Sequence, residues 1–142
     1  MQYRGTSYTV VLLALVSWLG GCEREGLVEV EVPDDAFNFI QAEIFDLNCA
    51  LPGCHATAVE PHQLNLSAGQ AYGNLVGISA RANPDLLRVD PGNPDDSFLI
   101  VKLEGGPADK FRGLRMPLGG QPLSDTQIQT IRDWIIDGAP RE

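Results

Sequence analysis

A chain of 142 residues with a formal net charge of −9 has room for one domain with a real core. Asp and Glu number 19 against 10 Lys and Arg, which argues against a nucleic-acid partner, because phosphate backbones are gripped by clustered cations. An acidic surface of this kind favours solubility and can steer a basic partner.

Arg4 opens a short positive region, an apolar run extends from Val10 to Leu19, and Leu19-Gly20-Gly21-Cys22 follows. That order predicts a secretory signal over residues 1–21. The apolar run is about half of what a bilayer-spanning helix needs, so cleavage is expected rather than a permanent span. Leu-Gly-Gly-Cys resembles the bacterial lipobox, which implies that Cys22 is acylated and becomes the new N-terminus. Several acyl chains on Cys22 would hold the protein firmly to a membrane, with the domain in water on the periplasmic side of the cell envelope. An ordinary signal peptide with a chance cysteine, or an uncleaved anchor, are the competing readings. Loss of residues 1–21 removes Arg4 and leaves 9 basic residues against 19 acidic ones, a net charge near −10. Residues 22–33, rich in Glu and Val and ending in Pro33, suit a tether without helical period.

The domain is expected to occupy 34–142 and to be mainly α. Asp34 or Asp35 can cap a first helix with apolar positions Phe37, Ile40, Ile44 and Leu47 at helical spacing and Phe45 alongside. It leads directly into Cys49. A second helix is expected from Ser67 as cap, with Tyr72, Leu75 and Val76 on one face, although Gly69 and Gly73 weaken it. Asn83 to Asn93, with Pro84 and Pro91, reads as turns. Asp95 or Asp96 can then cap a helix through Phe98, Leu99 and Leu103, stopped by Gly105-Gly106-Pro107. Residues 105–123 read as loop. The last helix is the clearest: Ser124 and Gln127 form a capping box, Ile128, Ile131, Trp134 and Ile135 form an apolar stripe, and Gly138 stands at the C-terminal cap. No alternating run is long enough to predict a strand, and there is no internal repeat.

An exported chain permits either disulfides or haem attached to cysteine thiols. Covalent haem attachment needs two thiols that reach two vinyl groups along one side of the ring, and an imidazole just beyond the second thiol for the iron. Cys49-Ala50-Leu51-Pro52-Gly53-Cys54-His55 has that order, with four residues between the cysteines where Cys-x-x-Cys-His has two. Pro52-Gly53 can form a turn that folds the extra residues outward and restores the cysteine separation. Three alternatives use the same residues: a Cys49–Cys54 disulfide, a zinc site from Cys49, Cys54, His55 and His62, and free thiols. For a sixth iron ligand, Met116 is the one methionine left after cleavage. It lies in a glycine-flanked loop ahead of the last helix, and a His–Met pair raises the reduction potential of a haem. A bis-imidazole iron with His62 is the other option, though it follows His55 by only seven positions. Lys110, Arg112 and Arg115 form a basic patch beside Met116 that could neutralise haem propionates or dock a partner, with a solvated loop as the simpler reading. Trp134 is core by default, with a haem-edge contact as the alternative.

Phe45-Asp46-Leu47-Asn48-Cys49, Cys54-His55, Leu64-Asn65-Leu66, Pro91-Gly92-Asn93-Pro94 with Ser97-Phe98-Leu99, Met116-Pro117, and Trp134-Ile135-Ile136-Asp137-Gly138-Ala139 occur in that order. Together they resemble the planctomycete-type cytochrome c domains over about residues 34–140. The resemblance implies a small class I cytochrome c fold around one haem, with first and last helices packed together. It also implies thioether bonds at Cys49 and Cys54, and iron ligands at His55 and Met116. With both axial positions filled, the expected function is one-electron transfer to a redox partner protein, with no catalytic residue. A haem-free binding or structural lipoprotein with a Cys49–Cys54 disulfide is a second hypothesis. A haem sensor or peroxidase-like enzyme, which needs Met116 off the iron, is a third.

Overall fold

The computed structural model describes residues 35–57 and 63–141. The signal segment, Cys22, the tether, Asp34 and His62 lie outside the described residues.

The first helix, α1, covers 36–48 in three stretches: α-helical Ala36–Ile40, π-helical Gln41–Phe45, and a last turn Asp46–Asn48. Asp35 holds the N-cap position, but its side chain makes no capping hydrogen bond. Phe37, Ile40 and Ile44 are buried as their spacing predicts, whereas Leu47 is 62% exposed and Phe45 is buried in its place. The wider π turn accounts for this difference. It holds more residues per turn than an α-helix, so it rotates Leu47 outward while Phe45 turns in. Gln41 is buried in the π segment and donates through Nε2 to Asp46 Oδ1 at 2.7 Å and to Leu66 O at 2.9 Å. That second bond ties α1 to the segment after the cysteine loop.

Helix α2, Ala71–Leu75, begins later than its sequence suggests, because Ser67 is not its cap. The Ser67 hydroxyl instead donates to Ala56 O at 2.8 Å, and Gly69 stands at φ +76°, outside the right-handed helical region. The expected turns from Asn83 onward contain a strand. Ser79–Ala80 (β1) and Asn83–Leu87 (β2) pair antiparallel with an irregular register, Ser79 opposite Leu87 and Ala80 opposite Asn83. Two such short strands carry no readable alternation. Pro84 is tolerated because each strand of a two-stranded ribbon has a free edge, where a missing N–H breaks no ladder bond.

A 3₁₀ turn, Pro94–Asp96, precedes helix α3, Phe98–Glu104. Ser97, not Asp95 or Asp96, occupies the N-cap position. Its buried hydroxyl donates to Asn93 O and accepts from Asp90 N–H, both at 2.9 Å. The two aspartates face outward, Asp95 to Arg132 and Asp96 to Lys110. Gly105 ends α3 in the left-handed region at φ +83°, and 105–123 is loop as expected.

The terminal helix α4, Asp125–Ile136, has the predicted capping box: Gln127 N–H donates to Ser124 Oγ at 3.2 Å, and Ser124 N–H to Gln127 Oε1 at 3.0 Å. Ile128, Ile131, Trp134 and Ile135 are all buried. Helices α1 and α4 pack together, with the Phe37 ring 5.3 Å from the Trp134 ring and 5.2 Å from that of Tyr72. Trp134 donates from Nε1 to Pro140 O at 2.8 Å and is core. The described domain is therefore mixed: four helices with one small two-stranded sheet.

Candidate functional site

The end of α1 aims the chain into the cysteine loop. Cys49 and Ala50 N–H both donate to Phe45 O, at 2.8 and 2.7 Å, which closes the helix. Leu51 to Cys54 then form a turn in which Cys54 N–H donates to Leu51 O at 2.9 Å. Proline at its second position and Gly53, at φ +80°, at its third are what a type II turn requires. The turn takes up the extra residues, and His55 N–H reaches back to Cys49 O at 3.1 Å. The loop is thus closed by a hydrogen bond from His55 back to Cys49.

Residues 64–67 brace the histidine. Leu66 N–H donates to His55 O at 2.8 Å, and His55 Nδ1 lies 3.2 Å from Leu64 O. A carbonyl oxygen only accepts, so Nδ1 carries a hydrogen here, and in the neutral ring Nε2 is then the nitrogen with the lone pair. This backbone orientation of the second ring nitrogen is the usual one for histidines that bind metals. Leu64-Asn65-Leu66, visible in the sequence only as a landmark, supplies that brace.

Cys49, Cys54, His55 and Met116 all line one cavity of about 690 Å³, within the roughly 300–1,000 Å³ of ligand and cofactor sites. Leu64, Leu66, Leu75, Phe98, Leu99 and Leu103 supply apolar lining. Met116 packs on the main core, half-buried, and its N–H donates to Lys102 O at 2.9 Å. Cys49 and Cys54 are not bonded to each other. Burial, and secondarily the neighbouring Cys54, push the Cys49 thiol up to about 12. Among the described residues no three His, Cys, Asp or Glu side chains gather as a metal site.

The basic patch divides. Arg112 lines the cavity, but Lys110 pairs with Asp96 at 2.7 Å and Arg115 donates from Nε to Leu103 O at 2.6 Å. Arg81, Arg88 and Lys102 also line it, and no described carboxylate does. These three were not legible in the sequence because 21 positions separate Arg81 from Lys102. Burial holds the Lys102 ammonium below its ordinary range. An apolar cavity edged with cations suits an apolar ligand with acidic substituents. Trp134 is not part of the lining.

Comparison with family models, with curated proteins and with solved structures finds no match to this chain.

Proposed function

We propose that this chain is a lipid-anchored c-type cytochrome of the bacterial cell envelope, holding one haem and passing single electrons to a redox partner protein. The observation that carries the reading is the convergence of Cys49, Cys54, His55 and Met116 on one apolar cavity. The closed cysteine loop and the Nδ1 bond of His55 support it. Packing of the first helix on the last supports the class I cytochrome c fold.

In this reading Cys49 and Cys54 anchor the ring edge through thioethers. His55 Nε2 and the Met116 thioether would hold its iron. Haem iron so ligated supplies reversible one-electron chemistry at a raised potential. The leucines and Phe98 keep water from the ring, and Arg81, Arg88 and Arg112 favour its carboxylates. The turn at Pro52-Gly53 supports this reading of the longer cysteine spacing. Residues 1–21 act as lipoprotein signal, Cys22 carries the lipid, and 22–33 is the tether. Among the described residues no helix is long and apolar enough to cross a membrane.

The test is a reduced pyridine-haemochrome spectrum of protein made with cytochrome-maturation machinery. A covalent haem band that Cys49→Ala and Cys54→Ala each alter is expected. No covalent band, with loss of two thiol hydrogens by mass, would refute the proposal. Met116→Ala should abolish the near-infrared sulfur-to-iron band of the ferric form while covalent haem persists.

A further inference from the structure

The segment that carries Met116 is held to α3 at four of the five positions from 112 to 116. Lys102 Nζ donates to Arg112 O at 2.8 Å and also to Leu114 O. Met116 N–H donates to Lys102 O, and Arg115 Nε to Leu103 O. The Lys102 ammonium further lies 4.9 Å from the Phe111 ring centroid and 5.9 Å from that of Phe98. One residue therefore grips both sides of the segment, with its side chain on 112 and 114 and its carbonyl on 116.

Convergence of two carbonyls on one ammonium has a backbone cause. Gly113 between them stands at φ +75°, and a Cβ there would come within 3.5 Å of Lys102 Nζ. A residue with the left-handed freedom of glycine lets the chain curl around the cation. Lysine suits the position because a long stem and three donors reach two acceptors at once. Residues 105–123 contain no regular element, so without such bonds the methionine would hang on a chain whose ordering is entropically costly.

We propose that Lys102 is a positioning residue: by clamping 112–116 to α3 it holds the Met116 sulfur at the cavity. The inference rests on Met116 being the distal iron ligand.

The experiment uses the full-length ferric holoprotein and Lys102→Leu, which keeps apolar contact with the two phenylalanines and removes the ammonium. Two readouts are taken, amide exchange at Met116 and the temperature at which the sulfur-to-iron band disappears. Loss of two charge-assisted hydrogen bonds should speed Met116 exchange roughly ten- to hundredfold, with α4 amides unchanged. The band should then vanish well below the temperature at which helix is lost, and Lys102→Arg should restore it. Should Lys102→Leu not fold, Gly113→Ala keeps every donor, strains the curl and carries the same expectation. Exchange and band melting identical to the parent overturn the clamp alone. A parent with covalent haem but no band overturns the distal-ligand reading, and the clamp with it.

Discussion

Replacing Gly53 by alanine tests the turn on which the irregular cysteine spacing depends. Nothing lies within 4 Å of the added Cβ and φ is +80°, so the penalty is backbone strain with no clash. A left-handed alanine costs about 1–2 kcal/mol. Roughly 0.4–1 kcal/mol returns because alanine also restricts the unfolded chain. The net loss should be about 1 kcal/mol, or roughly 4–8 °C in Tm for a domain of this size. Thermal unfolding of the holoprotein at fixed pH measures it, with the haemochrome spectrum unchanged. Gly53→Asn should lose less, since asparagine tolerates this region. If alanine proves neutral, or asparagine costs as much as alanine, the type II turn is not what closes the loop.

The capping box makes a simpler claim: Ser124→Ala should lower stability by about 1 kcal/mol in urea titration, leaving the spectrum untouched. The π segment predicts that Leu47→Gln changes stability by less than about 0.5 kcal/mol, while Ile44→Ala costs about 2–5 kcal/mol; equal losses would mean that Leu47 faces inward. In haem-free protein, iodoacetamide at pH 8 should label exposed Cys54 well before Cys49, whose thiol stays protonated up to about pH 12. A raised thiol value means that the folded state binds this proton more tightly than the unfolded one. The contribution of Cys49 to stability is therefore lost as pH rises above the ordinary value of 9.0 toward about 12. The haem-free Cys49→Ser variant should lack that alkaline loss, and a parent as flat as the variant would refute it.

How far the residues alone reach depends on the range of the interaction. The terminal helix, its box and its stripe were legible because capping and helical period act within a few residues. So were the glycine stop at Gly105 and the turn at Pro52-Gly53, where chemistry and geometry are local. Leu47, Ser67 and the β1–β2 ribbon depart from the local pattern for the opposite reason. A π turn, a hydroxyl drawn to Ala56 O, and a pairing of two-residue and five-residue strands are decided by what packs against them. The same division runs through the site. Cys49, Cys54, His55 and Met116 could be nominated from residue type and order. Their meeting at one cavity, the brace from Leu64, and the selection of Arg81, Arg88 and Lys102 over Lys110 and Arg115 required the packed chain, because contacts between positions dozens of residues apart form only when the burial of the shared core outweighs the entropy of closing the loops between them.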